Sequence, residues 1–171
     1  MQVKNETLID ARPEQVVEFM LSPTFIAKLC VELDAVRSIE ELESTQEGAT
    51  LRRVVQYQAP TQSKIPSFLS KYKDKAPEFV YWKEIATWDL DKHQMTYVIE
   101  PDIPEKWHSY YDVSGQLRCI ERSGKTMLAT SLTYEVNVFG LKRLIERALK
   151  AEVENMLRLQ GDIIKRHPFT P

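Results

Sequence analysis

The segment 141–165 constrains the fold of this chain more than any other, because it keeps a helical period without a proline. Charges of alternating sign stand four residues apart on one side of it, and such pairs stabilise the solvent-facing surface of a helix. The other side is apolar and consists of Leu141, Leu144, Ile145, Ala148, Leu149, Val153, Met156, Leu157, Ile163 and Ile164. The sequence therefore predicts a long C-terminal helix that buries one face against the rest of the chain.

A long series of strand-like segments precedes this helix, interrupted near the start by two short helices. We expect strands at residues 3–10, 35–43, 50–59, 79–89, 94–100 and 126–138, and either one long strand or two within 107–122. Ser22-Pro23 predicts a helix cap followed by a first-turn proline, and Gly115 predicts a bulge or bend in its strand. A long helix over a curved antiparallel sheet encloses a cavity, so this order predicts an α+β, ligand-holding fold of about seven strands.

Composition excludes several classes of function. The 171 residues suit one domain, 1–171, and 43% apolar with 28% charged residues is ordinary for a soluble globular protein. A net charge of -2, with basic and acidic residues interspersed, argues against a nucleic-acid partner. The N-terminus lacks the apolar core of a signal peptide, and no apolar run approaches the roughly 18 residues of a membrane span. Cys30 and Cys119 form no CxxC pair, so we expect reduced thiols and a cytoplasmic location.

Alternation along the strands places apolar side chains on one face of the sheet, and several of them are tyrosine or tryptophan. The polar tips of such residues need partners when they are buried, whereas a ligand pocket is apolar with a few polar groups. The pattern fits either an internal cavity or a core that is rich in tyrosine. The residues expected to face this interior are Tyr57, Tyr97, Trp107, Tyr111 and Tyr134 from the strands, and Leu149, Val153 and Met156 from the last helix.

Three charged residues interrupt the faces that are predicted to be apolar. Glu152 falls between Ala148 and Met156 on the helix, and Arg53 and Glu84 share the inward parity of their strands. A carboxylate in such a place must be paired, protonated or hydrated. Arg53 would hold a ligand carboxylate or phosphate bidentately, or would pair with Glu84 or Glu152 as part of the structure. A third interpretation is that a bulge shifts the parity and all three side chains face solvent.

No catalytic or metal-binding motif is present in the sequence. There is no HExxH, GxSxG, P-loop or GxGxxG, and the three histidines fall in a turn, on a polar strand parity and after the last helix. We therefore assign no catalytic residue, no metal and no cofactor. The segment 65–75 mixes apolar and lysine side chains, which fits a lid in transient contact with a membrane surface or a loop folded onto its own domain.

The order strand, two short helices, six strands and long helix resembles the helix-grip fold of the START-like, birch-pollen-allergen-like superfamily. The residues that carry this resemblance are 9–16, Ser22-Pro23-Thr24-Phe25 and the last helix after Phe139-Gly140. Within the superfamily, Ile65-Pro66-Ser67-Phe68, residues 84–88 and residues 148–154 resemble an uncharacterised bacterial START-like group. The resemblance implies binding of lipids, sterols, polyketides or other apolar molecules, and it supplies no catalytic motif.

Three functional hypotheses follow. The first is a noncatalytic protein that binds or transfers an apolar or amphipathic small molecule, whose polar end Arg53, Tyr57, Tyr111 or Glu152 would orient. The second is a cyclase or dehydratase on the same scaffold, with Glu84 or Glu152 as acid or base. The third is an interaction module with a filled core. The candidate ligand-binding residues are Arg53, Tyr57, Glu84, Tyr97, Trp107, Tyr111, Tyr134, Leu149, Glu152, Val153 and Met156.

Overall fold

The computed structural model describes residues 1–34, 36–60, 78–102, 111–137 and 142–170, except for the side chains at positions 144, 145 and 148. The strands in this part are β1 (Gln2–Ile9), β2 (Ser38–Glu47), β3 (Thr50–Pro60), β4 (Phe79–Asp89), β5 (Gln94–Pro101), β6 (Tyr111–Arg122) and β7 (Lys125–Val136). The helices are α1 (Pro13–Leu21), α2 (Pro23–Glu32) and α3 (Lys142–Lys165). This is the predicted element order, and the α+β fold class is confirmed.

The residues at the start of each short helix explain why α1 and α2 begin where they do. Pro13 and Pro23 occupy the first turns of α1 and α2, where a missing backbone N–H costs nothing. Ser22 caps α2, because its hydroxyl accepts a hydrogen bond from the backbone N–H of Phe25 at 3.2 Å. The predicted cap is therefore present, and it fixes the sharp corner between the two helices.

The strands form one antiparallel sheet in the order β1-β7-β6-β5-β4-β3-β2. Ser123 and Gly124 both have positive φ, as the two-residue turn between β6 and β7 requires. The sheet curves around a core that is built from alternate residues of its inner face, and α1, α2 and α3 cover that face. Among the fully buried side chains are Trp88, Leu117, Leu128 and Tyr134 from the strands.

The last helix lies closest to the β1 end of the sheet. Gly161 makes this approach possible, since a Cβ placed there would lie 2.3 Å from the hydroxyl of Thr7. The Asn5 amide donates to the carbonyl of Leu157 at 3.4 Å, and the Tyr134 hydroxyl donates to the carbonyl of Glu146 at 3.0 Å. Leu157 is 1% exposed, so the C-terminal half of α3 packs tightly into the core.

The strand pairing differs from the sequence-based predictions at two places, one in β6 and one in β2. Of the bulge or bend that was predicted at Gly115, the bulge is wrong, because β6 pairs with β7 in continuous register. That glycine is needed for another reason: a Cβ there would lie 2.1 Å from the ring of Tyr97, which packs over the backbone. The bulge is in β2, where the register shifts between Glu41 and Glu43. The sequence carries no glycine or proline at that position to reveal it.

Some predictions fall outside the described residues. These are the segment 65–75, interpreted as a lid or as a loop folded onto its own domain, Trp107, His108 and the start of the strand that was expected from 107. Among the helices that are described, none is long and apolar enough to cross a membrane.

Candidate functional site

The candidate site is a cluster of polar side chains on the inner face of the sheet where β3, β4 and β5 run side by side. Val55 pairs directly with Glu84 across β3 and β4. Arg53 and Tyr57 flank Val55 on the same face, so both are diagonal neighbours of Glu84. Tyr97 on β5 lies one strand further along, opposite Ala86. The backbone register alone therefore brings four of the predicted site residues together.

The guanidinium of Arg53 is the most constrained group in this cluster. Arg53 is 7% exposed. Its Nε donates to Oε2 of Glu41 at 2.5 Å, and its Nη1 donates to the backbone carbonyl of Met20 at 3.2 Å. Its Nη2 is buried and has no hydrogen-bond partner among the residues that the structure describes. Arg53 thus forms an ion pair on one side and keeps an unused donor on the other.

Glu41 is a residue of the candidate site that the sequence reasoning missed. We expected Arg53 to pair with Glu84 or Glu152 if it formed a structural ion pair, but it pairs with Glu41. The bulge in β2 explains this, because it places Glu41 opposite Val55 and Ser44 opposite Arg53. Glu41 and Arg53 therefore both lie on the inner face of the sheet. Only the register between two strands could have shown which acidic residue of the Glu-rich β2 points inward.

Glu84 titrates near neutrality. Burial of its carboxyl raises the pKa of Glu84 from 4.5 to about 7, although the positive charge of Arg53 partly opposes the rise. Burial, and then the charge of Glu84, raise the pKa of Tyr57 and Tyr97 above the ordinary value, so both phenols stay protonated. The cluster therefore holds one fixed cation, two phenol donors and one carboxyl that can exist in either protonation state at neutral pH.

A small cavity of about 30 Å³ adjoins this cluster. Its apolar walls include Met20, Phe25 and Leu29 from the short helices and Trp88 from β4. Its polar lining comes from Arg53, Tyr57, Glu84 and Gln160. Such a volume accommodates about one water molecule. Gln160 was not expected here, because it stands in a polar stretch of α3 and only the packing of that helix turns it inward.

Half-buried apolar side chains continue the inner surface beyond the cavity. On the sheet they are Ile99, which pairs with Glu84, and Val113, which pairs with Tyr134. On α3 they are Leu149, Val153 and Met156. The hydrogen bond from the Tyr134 hydroxyl to the Glu146 carbonyl places the N-terminal half of α3 over the part of the sheet where Val113 and Tyr134 lie. The helix is therefore packed less completely here than at Leu157, and it leaves an apolar margin next to the polar cluster.

The other predicted site residues described here, Glu152, Tyr134 and Tyr111, lie outside the polar cluster. The expectation that Glu152 interrupts the buried stripe is wrong, because Glu152 is exposed. The stripe runs through Leu149, Val153, Met156 and Leu157, which puts Glu152 at its edge. Tyr134 is 1% exposed and lies under α3, whereas Tyr111, at the first position of β6, is 40% exposed.

A larger, open depression of about 480 Å³ lies on the outer face of the sheet. Half of its lining residues carry short hydroxyl side chains, with Thr87, Thr96, Ser114 and Ser131 among them. None of the described residues that line it is acidic or basic. The inner cluster has the richer chemistry, because it combines charge, titration near neutrality and burial. Among the described residues, no group of three or more His, Cys, Asp or Glu side chains could hold a metal ion.

Comparisons with known proteins assign this chain to a family. A family model described as "Protein of unknown function (DUF2505)" matches residues 4–167. A comparison with curated proteins gave no match.

Solved structures with the same fold cover nearly the whole chain. The Zhui aromatase/cyclase from Streptomyces sp. R1128 superposes with a TM-score of 0.67 at 15% identity, over 96% of this chain and 90% of that one. The protein TTHA0849 from Thermus thermophilus gives 0.63 at 20% identity, over 96% and 97%. A START superfamily protein from Mycobacterium smegmatis gives 0.58 at 11% identity, over 95% and 96%. At these identities the likeness shows the fold, and the predicted resemblance to START-like proteins is confirmed. The chain belongs to the DUF2505 family, and it has a helix-grip fold like that of START superfamily proteins.

Proposed function

We propose that this protein binds an apolar or amphipathic small molecule between α3 and the inner face of the sheet. The observation that carries the proposal is the position of a buried polar cluster beside a half-buried apolar margin. Ile99, Val113, Leu149, Val153 and Met156 would cover the apolar body of the ligand. The cluster of Arg53, Tyr57, Glu84 and Tyr97 would hold its polar end. Two free cysteines fit a reducing, cytoplasmic setting for this binding.

Binding requires the interior to widen, because a cavity of about 30 Å³ cannot hold a lipid-sized molecule. The N-terminal half of α3 is the element that can move most easily. The apolar side chains that the structure describes in this half, Leu149 and Val153, are only half-buried, so separating them from the sheet exposes little additional apolar surface. The C-terminal half stays seated through Leu157 and Gly161. We therefore expect α3 to open at its N-terminal end.

The test combines ligand capture with a matched pair of variants. Native mass spectrometry of the purified protein should reveal a co-purifying apolar molecule, and an apolar fluorescent probe should bind the folded protein. Met156→Arg, on the apolar margin, should weaken probe binding about tenfold or more. Ile120→Arg is the control, because Ile120 is 40% exposed and has the opposite strand parity to the buried Cys119. A folded protein that ignores the probe, or equal effects of the two variants, would refute the proposal and favour a filled core.

A second candidate function is acid–base catalysis on the bound molecule. The observation that favours it is Glu84, since a carboxyl with a pKa of about 7 can give up or take a proton at neutral pH. One solved structure of similar fold is an aromatase/cyclase. If a co-purifying molecule is converted, the rate should depend on a group titrating near pH 7 and should be lost in Glu84→Gln. Conversion that persists in this variant would exclude Glu84 as the acid or base.

A further inference from the structure

The outer face of the sheet carries a row of apolar side chains where β1, β7 and β6 run side by side. Leu8 pairs with Met127 across β1 and β7, and Met127 pairs with Ile120 across β7 and β6. Leu8 is 47% exposed and Ile120 is 40% exposed, because the three helices cover the opposite face of the sheet. Large apolar side chains that adjoin one another at a surface, with polar residues around them, mark a docking surface.

Charged residues frame this row in an asymmetric pattern. On the β1 side they are acidic, with Glu6 within the strand and Asp10 just after its end. On the β6 side they are basic, with Arg118 level with Glu6 and Arg122 level with Asp10. The three strands together form what we call the outer patch, which consists of Glu6, Leu8, Asp10, Arg118, Ile120, Arg122, Lys125, Met127 and Ala129.

A second copy of the chain complements this pattern. Sheets that pack face to face keep their strands within about 30° of each other, and a two-fold axis brings the same patch of both copies together. An axis parallel to β7 places β1 of one protomer over β6 of its partner. Glu6 then meets Arg118 of the partner subunit, and Leu8 meets Ile120 of the partner subunit. Each acidic side of the outer patch thus faces a basic side.

The charges also exclude a two-fold axis that runs across the strands at Leu8. Such an axis would place Glu6 opposite Asp10 of the partner subunit, and Arg118 opposite Arg122 of the partner subunit. Like charges in contact oppose association. With the axis parallel to β7, the remaining like-charge contact is between the two copies of Lys125. Each of these is balanced within its own chain, because Lys125 lies 3.4 Å from the carboxylate of Asp10.

We propose that two copies of this chain associate through the outer patch, about a two-fold axis parallel to β7. Beyond the patch the same strands continue with uncharged polar side chains such as Gln116, Ser131 and Thr133, which do not repel their copies. Three strands over this length present roughly 500 Å² of each protomer, or about 1,000 Å² in the pair, near the lower limit for a specific interface. The dimer is therefore weak and sensitive to salt. The ligand site lies on the inner face and stays accessible.

Sedimentation equilibrium of the full chain, at low salt and up to millimolar concentration, measures this association. Glu6→Arg puts like charges at both Glu6–Arg118 contacts, so it should weaken dimerisation about tenfold or more. Arg118→Glu should have the same effect for the same reason. Glu47→Arg is the matched control, because it makes the same change at an exposed position of β2, outside the outer patch. It should leave dimerisation unchanged.

A mixture of the two repelling variants gives the decisive result. In a mixed dimer each protomer supplies the charge that its partner needs, so Glu6→Arg and Arg118→Glu should bind each other within about threefold of the wild-type affinity. All the substituted side chains are exposed, so the variants should fold like the wild type. A mixture that stays monomeric would overturn the proposal, and so would equal effects of Glu6→Arg and Glu47→Arg. A wild type that stays monomeric at millimolar concentration would also overturn it and would leave the outer patch to a different protein.

Discussion

Replacing Glu84 with glutamine should make the protein more stable at alkaline pH and leave its stability nearly unchanged at acidic pH. Burial raises the pKa of Glu84 to about 7, so the folded state holds this proton more tightly than the unfolded chain does. Stability must then fall as the pH rises from about 4.5 to 7, since the folded protein has to release a proton that the unfolded chain has already lost. Glutamine is similar in shape and never ionises, so the variant escapes this loss.

The size of the effect follows from the shift in pKa. A rise from 4.5 to about 7, at about 1.4 kcal/mol for each pH unit, corresponds to roughly 3 kcal/mol of stability lost on ionisation. The measurement is urea unfolding of wild type and Glu84→Gln at about pH 5 and pH 8. The advantage of the variant at the higher pH, minus its advantage at the lower pH, should reach roughly 2 to 3 kcal/mol. Any difference in hydrogen bonding between Glu and Gln that is independent of pH cancels in this subtraction.

Glu121→Gln is the matched control, because the same chemical change is made at an exposed position of β6. It should show no comparable dependence on pH. A Glu84→Gln advantage that is the same at both pH values would refute the argument, and so would a variant that is less stable than wild type at the higher pH alone. Either result would mean that Glu84 is hydrated or fully neutralised by Arg53.

Two further predictions concern packing. Gly161→Ala should destabilise the protein by about 1 to 3 kcal/mol although alanine favours helices, because the added Cβ would lie 2.3 Å from the Thr7 hydroxyl. Thermal unfolding should show this loss, and the loss should be smaller when Gly161→Ala is made in a Thr7→Ala background, which lacks the hydroxyl. An undiminished loss in that background would mean that the clash is not with Thr7. His167 stacks on Phe19 with ring centroids 3.8 Å apart, and burial together with the charge of Lys28 lowers the pKa of His167. Its NMR titration should therefore have a midpoint below about 6.5, and Lys28→Met should raise that midpoint; a midpoint that does not move would exclude Lys28 as a contributor.

Much of the site was predictable because a strand has a strict two-residue period. The inward parity of Arg53, Tyr57, Glu84 and Tyr97 follows from their spacing within three regular strands. The same reasoning failed on α3, where Glu152 was assigned to the buried stripe. A helix presents a broad apolar face, and the rotation that centres this face on the core depends on what the helix packs against.

The order of the elements, the cap at Ser22 and the face of each regular strand could be predicted from local sequence patterns. These features arise from local chemistry, because proline, glycine, serine and alternating polarity act through neighbouring residues. Three other features are visible only in the folded protein: Arg53 pairs with Glu41, Gly115 makes room for the Tyr97 ring, and α3 approaches β1 at Gly161. Each of these depends on the register or packing of segments far apart in the chain, and no local pattern encodes which segments meet. The raised pKa of Glu84 also depends on the tertiary structure. Only the residues packed around its carboxyl remove the water that would otherwise keep this pKa at its ordinary value.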